Sequence, residues 1–569
     1  MIIPKLPYWP NGTPFHEGEL ELQRRFGVES AVAQFAPKAI RPYMPDQHRD
    51  FYTSQPFLAV SARDSRGMIW ATMIANGGSS DFVTSPDPFT LTIDAIMLPG
   101  DALQEALKDG DDLGILGIEF GTKRRNRVNG SIRRRHTSGP KRTCIDFQVG
   151  QSFGNCPQYI KPRQWWKRTP TVKLNEGASR SIQRQEELSE TQIEQIKNSD
   201  TIFVASGYRG QGNSPSYGND VSHRGGPRGW IKVTDSKVII LPDFSGNDMY
   251  NTLGNIVMDN RFGLSVPLFE TGGMIQMTGR ASIDYDQQHI NEIYPGALRL
   301  VVFEIDEVVT IADGSLPIAW SSNDSEDDEI RKVQVARKIK ESAEVTSFYL
   351  RAVGGDDPKL WPFKPGQHLP VILDVGDDRV LMRTYSLSSL PYLTEYRVSV
   401  KREPFGQASK FLHDKVQEGD VFDIQKPVGD FVLDESSDRT IVLISAGVGA
   451  TPVLSMLHQS AKSLTRRHVF WIHGARNGEY HAFSEEVIGL KNASLGSTSS
   501  HIVYSKPLED DSAHYDSTGR ITPDLVFRIV PDLSRADFYI CGPAAFTADL
   551  EHGLQQFGVE GRHIKYETF

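Results

Sequence analysis

The chain has 569 residues, 38% of them hydrophobic, a formal net charge of −10 and three cysteines, Cys144, Cys156 and Cys541. That length exceeds what one core serves, so about two to four domains are expected. The acidic balance argues against general nucleic-acid binding, and three thiols cannot supply a disulfide framework, a zinc cluster or a four-thiolate iron–sulfur centre. No stretch approaches about 18 consecutive apolar residues, and residues 1–7 lack a charged region followed by an apolar run. Neither a membrane span nor a secretion signal is expected, and the three thiols fit a reducing cytoplasm.

In chain order, residues 1–50 read as an N-terminal extension packing on a barrel, and residues 51–167 and 201–320 as two related strand-rich units. Phe57-Leu58-Ala59-Val60-Ser61 resembles Phe203-Val204-Ala205-Ser206, each followed by a Gly/Ser-rich turn and a strand. Gly100-Asp101 and Gly246-Asn247 each open a short helix-like segment. Leu113-Gly114-Ile115 and Phe262-Gly263-Leu264 begin a strand, and a later strand ends at Gly130 and at Gly279. These pairs lie about 145–149 residues apart in constant order, which implies a duplicated β-rich unit. Two such units can pack face to face within one chain, as identical subunits do in a dimer. Residues 168–200 form a connector whose helix opens at Ser189, with Gln192 placed for a capping box.

Two segments of this half can hold an anion. One is Lys123-Arg124-Arg125-Asn126-Arg127 with Asn129 and Gly130. The other is Ser222-His223-Arg224-Gly225-Gly226, leading to Trp230 and a strand with Lys232. Glycines expose backbone donors and arginines make bidentate phosphate contacts. The Lys123–Arg127 run reads equally well as a solvated loop, and Arg133-Arg134-Arg135 reads as one outright.

Residues 321–332 form an acidic linker. From 333 to 435, short β-branched segments between turns read as an antiparallel barrel, in which Tyr396–Lys401 alternates as a half-buried strand should. Arg383, Tyr385 and Ser386 stand at a strand end before a turn around Pro391. There an arginine can neutralise a pyrophosphate, a tyrosine can stack on a flavin and a serine can approach its N5 edge. Lys401 adds a cation, and Gly406-Gln407-Ala408-Ser409 precedes a helix, offering backbone donors and a hydroxyl to phosphate.

Residues 436–569 change architecture. Thr440–Ser445 is an apolar run suited to a buried parallel strand. It enters Gly447-Val448-Gly449-Ala450-Thr451-Pro452, where glycines admit a dinucleotide and Pro452 suits the first turn of a helix. Further strands at 468–473, 501–504 and 537–540 follow, the last ending in Cys541-Gly542-Pro543. Arg476 and Lys506 are candidate cations for the 2′-phosphate of NADPH and equally ordinary surface groups.

Residues 331–569 resemble the ferredoxin–NADP reductase superfamily, especially the reductase module of flavohaemoglobins and related oxygenase reductases. The resemblance implies FAD held by Arg383, Tyr385 and Ser386, with Val400, Lys401, Gly406, Gln407 and Ser409 in its phosphate-contacting region. It implies NAD(P)H at Gly447, Gly449, Thr451, Pro452, Gly542 and Pro543, with Thr451 and Cys541 near the nicotinamide. Tyr566-Glu567-Thr568-Phe569 falls near the flavin, so Tyr385, Ser386, Cys541 and Glu567 are the expected catalytic residues and Phe569 a cofactor contact.

The N-terminal half resembles the pyridoxamine-phosphate-oxidase-like, FMN-binding split-barrel superfamily. The match rests on Phe15-His16-Glu17-Gly18-Glu19, Arg124 to Gly130, Phe153-Gly154-Asn155-Cys156-Pro157, Ser222 to Gly226, Leu241-Pro242-Asp243 and Leu253-Gly254-Asn255. It implies FMN between paired barrels, near Arg127, Asn129, Ser222, Arg224 and Lys232, with Asn247 on the phosphate loop. Where true pyridoxamine phosphate oxidases carry a serine–arginine–lysine motif, this chain has Gly246-Asn247-Asp248-Met249, so vitamin B6 oxidation is not expected. His223, conceivable as a haem ligand, reads as a hydrogen-bonding or turn residue, and Cys156 as structural.

The expected fold is therefore multidomain: a duplicated split β-barrel, an antiparallel FAD-binding barrel and an α/β nicotinamide-binding domain. The expected activity is an oxidoreductase passing electrons from NAD(P)H, with NADH favoured, through FAD to FMN and on to an unidentified small-molecule or protein acceptor. No metal, nucleic acid or membrane is expected, and a homo-oligomer stays open. One alternative is a single-FAD reductase whose barrel binds diffusible flavin, haem or another acceptor. The other is a redox-sensing flavin-binding scaffold.

Overall fold

The computed structural model describes the chain except residues 1–8, 10–11, 78–80, 105, 140–141, 156–158, 169–183, 245, 295–296, 322–329, 355–358, 377–379, 392–393, 405, 463–466, 495–496 and 569. Cys156, Pro157, most of the acidic linker, the first half of the connector and Phe569 thus lie outside the described residues. The chain forms two compact units, Met1–Ser325 and Glu326–Phe569.

In the first unit, helices α1 (Glu17–Arg25), α2 (Glu29–Ala39) and α3 (Asp46–Thr53) precede strands β1 (Phe57–Arg63), β2 (Ile69–Ala75), β3 (Val83–Asp87), β4 (Thr90–Ile96), β5 (Asp112–Glu119), β6 (Arg124–Gly139) and β7 (Arg142–Asn155). Their order is β2-β1-β5-β6-β7-β4-β3, and the pairing of Ala75 with Ile96 joins β2 to β4, closing the sheet into a β-barrel. Strands β1 and β2 are buried on both faces. Leu58, Val60, Trp70 and Ile74 join one apolar core, while Phe57, Ala59, Ile69, Ala71 and Met73 pack with Phe203, Ala205 and Val221 in another. A strand with an apolar partner on each side has no reason to alternate.

Strands β8 (Trp165–Lys167) and β9 (Arg184–Gln185) follow, then α4 (Glu190–Lys197), which opens on the expected Ser189–Gln192 capping box. The second sheet contains β10 (Thr201–Tyr208), β11 (Gly218–Gly225), β12 (Lys232–Asp235), β13 (Val238–Asp243), β14 (Arg261–Leu268), β15 (Gly273–Asp284) and β16 (Arg299–Ile311). Its order, β11-β10-β14-β15-β16-β13-β12, follows the first sheet strand for strand, but among the described residues no β11–β13 pair closes it. Helices α5 (Asn251–Met258) and α6 (Gln287–Ile293) lie in its connections, and β17 (Ile318–Trp320) pairs with β8.

Several local expectations need correction here. Gly130 and Gly279 do not end strands; each sits at a bulge within a longer one, where the register shifts at Asn129/Gly130 and at Thr278/Gly279. A side chain at either would collide with a neighbouring carbonyl, Gln148 or Glu304, so close backbone approach demands glycine. Arg124–Arg127 and Arg133–Arg135 lie in strand β6 rather than in loops. Gly100-Asp101 leads into a turn, not a helix.

The second unit begins with β18 (Arg331–Lys340), β19 (Val345–Val353), β20 (His368–Asp374), β21 (Val380–Ser386), β22 (Glu395–Lys401), α7 (Gln407–Asp414) and β23 (Val421–Ile424). These strands make an antiparallel sheet ordered β21-β20-β23-β18-β19-β22. Then come β24 (Thr440–Ala446), α8 (Ala450–Lys462), β25 (Val469–Ala475), α9 (Ser484–Ala493), β26 (Thr498–Tyr504), β27 (Ser517–Thr518), α10 (Pro523–Ile529), β28 (Ala536–Gly542), α11 (Ala544–Gln556) and β29 (Ile564–Thr568). They build a parallel sheet ordered β27-β26-β25-β24-β28-β29, with an apolar core on each face. The chain order reverses at β24, so the loops after β24 and β28 flank a crevice at the carboxyl edge, where open α/β sheets bind ligands.

Strand β22 departs from the half-buried pattern, since Tyr396 to Val400 are all buried. The polar face is covered as well. Arg397 donates to both carboxylate oxygens of Glu486 in α9, at 2.8 and 3.0 Å, and Nε2 of His458 in α8 lies 2.5 Å from Oε1 of Glu486. Ser455 Oγ donates to the Ser389 carbonyl at 2.8 Å. These bonds tie the antiparallel sheet to the helices of the parallel one.

Against the upward push of burial, the hydrogen bonds from His458 and Arg397 hold the Glu486 carboxyl at about 2, below its ordinary 4.5. An acid so depressed stabilises the fold above its ordinary value, and that contribution is lost as pH falls towards the folded one. Arg397 is buried and Glu486 half-buried, so losing the arginine is expected to cost about 1.5–3 kcal/mol, the worth of hydrogen bonds to a charged group. Arg397→Ala is therefore expected to lower the urea stability of this unit by about that amount and to blunt its acid sensitivity between pH 4.5 and about 2. Unchanged urea and acid transitions would contradict the tie.

Candidate functional site

At the carboxyl edge of the parallel sheet, the register sets Ser445 beside Cys541 and Cys541 beside Glu567. Oε1 of Glu567 lies 3.8 Å from Nδ1 of His368, which pairs with Ser386 across β20 and β21. One row of neighbours thus connects the strand end carrying Arg383, Tyr385 and Ser386 to the crevice. Gly447 has a φ of 56°, and a side chain at Gly449 would collide with the Cys541 carbonyl. Both positions need glycine for the backbone to fold against that edge. Thr451 Oγ1 donates to the Val448 carbonyl at 2.9 Å, Pro452 lies in the first turn of α8, Gly542 is buried and the exposed Pro543 precedes α11.

Burial, then the charge of Asp430, raises the Glu567 carboxyl to about 8, so it carries a proton at neutral pH. Burial, then Glu567, pushes the Cys541 thiol well above its ordinary range, which removes it as a thiolate nucleophile. Burial also takes the Tyr385 hydroxyl to about 12 against the opposing pull of Arg383. The half-buried Arg383 donates through Nη1 to the Met382 carbonyl at 2.8 Å.

Around α7, Lys401 Nζ stands 3.0 Å from Glu403 Oε1, and the Val400 carbonyl accepts from His413 Nε2 at 2.8 Å. The Ser409 hydroxyl accepts from the Glu403 N–H and donates to the Gly406 carbonyl, each at 3.1 Å, so it shapes the loop. Gln407 is exposed, and Gly406 caps α7 without a side-chain bond, which presents the first-turn N–H groups to an anion. Arg476 lies 4.0 Å from the Tyr480 ring, and the Lys506 N–H donates to the Arg476 carbonyl at 2.8 Å. The two candidate 2′-phosphate cations therefore stand side by side beyond β25 and β26.

The first unit contains a cleft of about 140 Å³ whose lining includes Arg125, Arg127, Ser222, Arg224, Asn247 and Arg299. Asn129 stands behind it, donating to Asp220 Oδ1 at 3.1 Å. Lys232, expected in the site, is outside the lining; its exposed ammonium donates to the Ile293 carbonyl at 2.7 Å. It stands on β12, at the far end of the sheet from β11.

Arg127 donates to Asp220 Oδ2 at 3.1 Å and to Ser222 Oγ at 2.8 Å, and Arg224 donates to the same hydroxyl at 2.7 Å. Asp220, Ser222 and Arg224 share one face of β11 because they stand two residues apart. Nε of Arg127 and Nε2 of His223 are buried with no hydrogen-bond partner among the described residues. His223 is a strand residue, not a turn residue; Nη1 of Arg125 donates to its Nδ1 at 3.2 Å. Burial, then the charges of Arg125 and Arg224, keeps its imidazole neutral.

The loop into α5 lines another part of the cleft. Asp248 and Tyr250 have φ of 58° and 59°, a strained backbone for residues with side chains. Asn247 Oδ1 accepts from the Met249 N–H at 3.2 Å, holding the turn. Tyr250 gives α5 no side-chain cap, and Asn251, Thr252 and Leu253 face the cleft. The Phe15–Glu19 motif fixes this helix. His16 Nε2 donates to Asn255 Oδ1 at 3.0 Å, Glu19 accepts from Asn251, and Gly18 and Gly254 let α1 and α5 touch backbone to backbone. Sequence reasoning does not reach Asp220, Asn251 or Arg299, although the polar Asp220–Ser222–Arg224 spacing within an otherwise buried strand is a legible signal.

Comparison with known proteins places cofactor-binding families on the second unit. The family described as "Oxidoreductase FAD-binding domain" matches residues 332–433, and "Oxidoreductase NAD-binding domain" matches residues 443–552. The chain is 42% identical over 239 residues to a flavohemoprotein of Burkholderia sp. (strain TH2), covering 42% of this chain and 59% of that protein. It is 41% identical over 277 residues to the flavohemoprotein of Deinococcus radiodurans, covering 48% and 66%. It therefore spans about three fifths of the length of these relatives. Among solved structures, the flavohem-like FAD/NAD binding domain of nitric oxide dioxygenase from Vibrio cholerae O1 biovar El Tor matches at 33% identity and a TM-score of 0.38, covering 42% of this chain and 98% of that one. Among the described residues, no helix is long and apolar enough to cross a membrane. The chain is an N-terminal β-barrel domain fused to an FAD- and NAD-binding oxidoreductase module that resembles the reductase domain of flavohaemoproteins.

Proposed function

We propose that the protein is an NAD(P)H-dependent oxidoreductase in which electrons pass by way of FAD to FMN held in the barrel half, and from there to a small acceptor. The observation that carries the first part is the row Ser386, His368, Glu567, Cys541, Ser445, which brings a strand end of the antiparallel sheet to the carboxyl edge of the parallel one. FAD supplies acceptance of a hydride and onward release of electrons. Arg383 neutralises its pyrophosphate, Tyr385 and Ser386 position the isoalloxazine, and the N-terminus of α7 with Gly406, Gln407 and Lys401 faces phosphate. Gly447, Gly449, Thr451, Pro452, Gly542 and Pro543 form the nicotinamide side. Protonated Glu567 supplies a hydrogen-bond donor at that edge, and Cys541 packs there as a neutral thiol.

For the barrel half, the shared strand order supports reading the two sheets as a duplication, and the arginine-lined cleft supports an anionic ligand. Arg127, Ser222 and Arg224 with the open end of α5 are suited to the phosphate of FMN. The orphaned Arg127 Nε and the lowered proton affinity of Arg224, caused by burial, both favour an anion there. Extraction of cofactors from purified protein tests this directly. FAD together with FMN is expected; FAD alone would favour a single-flavin reductase whose barrel takes a diffusible acceptor, and neither flavin would overturn the proposal.

Arg383→Ala is expected to weaken FAD retention by about 1.5–3 kcal/mol, about ten- to a hundredfold in Kd; unchanged affinity in an equilibrium titration rejects its role. Because Glu567 titrates at about 8 and acts protonated, NAD(P)H turnover should fall as pH rises through that value. Glu567→Gln, which cannot ionise, should lose this limb; a variant that keeps it would assign the titration elsewhere. Iodoacetamide should leave Cys541 unmodified in the native protein, as read by peptide mass spectrometry, whereas rapid alkylation would show an accessible thiolate.

A further inference from the structure

The strand pairing defines which residues of the two sheets are equivalent. Ser61 pairs with Gly114 and with Ala71, while Ala205 pairs with Gly263 and with Val221. Thr72 therefore answers to Ser222, Ile74 to Arg224 and Trp70 to Asp220. On the next strand, Leu116 pairs with Arg127 and Ser265 with Gln276, so Gln276 answers to Arg127. The bulges at Asn129/Gly130 and Thr278/Gly279 confirm the register.

The two sheets also cross one another in related ways. A side chain at Gly114 would strike Asn219 and Asp220 of β11, and one at Gly263 would strike Ile69 and Trp70 of β2. Arg127 bonds to Asp220 and Ser222 across the first crossing, and Gln276 and Thr278 bond to the carbonyls of Ala71 and Ile69 across the second, at 3.1 and 2.7 Å. The arrangement thus generates two related crossings, the first of which opens on the cleft.

Only one keeps the chemistry of an anion site. At the second, Gln276 replaces arginine, and Ile74 stands where the first has Arg224. Among the described residues, the connection between the fourth and fifth strands presents no helix end; it inserts Asp101, 1% exposed, into the crossing. The Asp101 carboxylate accepts from Thr72 Oγ1, from Gln276 Nε2 at 3.3 Å and from the Leu103 N–H at 2.8 Å, and Gln276 Oε1 accepts from the Ala102 N–H at 3.1 Å. A buried carboxylate with its acceptors engaged leaves no room for an anion and repels one.

We propose that the two related crossings have diverged into one site for a phosphate-bearing ligand, centred on Arg224, and one filled polar plug, centred on Asp101, so that each chain holds a single such ligand in its barrel half. The inference rests on the FMN reading above and adds its stoichiometry and its location. Native mass spectrometry of FAD-saturated protein titrated with FMN tests it, using wild type, Arg224→Gln and Thr72→Val. One FMN per chain in wild type and in Thr72→Val, with none in Arg224→Gln while FAD is retained, is the expected pattern. Two FMN per chain, one surviving in Arg224→Gln, or one lost in Thr72→Val would overturn the single-site assignment and leave FMN binding standing. No FMN on wild type would overturn the FMN reading itself, and this inference with it.

Discussion

The bidentate pair between Arg397 and Glu486 is the interaction on which the reductase unit depends, because it joins β22 of the antiparallel sheet to α9 of the parallel one. The two sheets also share apolar packing, since Val345 of β19 joins the core under the parallel sheet, and neither sheet alone makes a crevice between a flavin and a nicotinamide. Transfer between two bound cofactors requires the reacting atoms to be held at near-contact distance, so small displacements at the seam are costly. A charged pair suits that position: it is directional, and leaving either partner alone in the seam is penalised. Within each sheet the row from Ser386 to Ser445 follows from strand register, and the half-buried Glu567 joins the two at His368, its carboxyl raised by desolvation and then by the charge of Asp430.

The N-terminal unit carries one strand order in two sheets. The apolar contact between them draws on Phe57, Ala59, Ile69, Ala71 and Met73 of the first and Phe203, Ala205 and Val221 of the second. Polar residues enter that contact at the crossings. Around Arg127 they leave unpartnered nitrogen and a helix end facing a cleft; around Asp101 they close on themselves. Crossings of related register thus carry opposite polar groups, Arg127 and Arg224 at one and Asp101 at the other.

Much of this was legible in the sequence, for identifiable reasons. The parallel strands announced themselves because burial on both faces forces continuous apolar runs, as in Thr440–Ser445. The Gly447–Pro452 loop and the Ser189 cap were readable because each residue type has a local mechanical reason to be there. What escaped was set by partners distant in sequence. Arg397 sits on a strand that alternates like a surface strand, and only Glu486, far along the chain, explains its burial. Gly130 and Gly279 look like strand ends, yet they are bulges dictated by a neighbouring carbonyl. Lys232 follows an arginine-rich motif but extends to Ile293 instead of the cleft. The role of Phe15–Glu19 was hidden because its purpose, holding α5, involves a helix more than two hundred residues away.

The most direct test of the central claim is anaerobic titration of the purified protein with NADH, following the absorbance of each flavin. Reduction of FAD followed by a second equivalent of NADH reducing barrel-bound FMN is the predicted result. Reduction that stops after one equivalent, with FMN still oxidised beside reduced FAD, would contradict direct electron passage between the two halves.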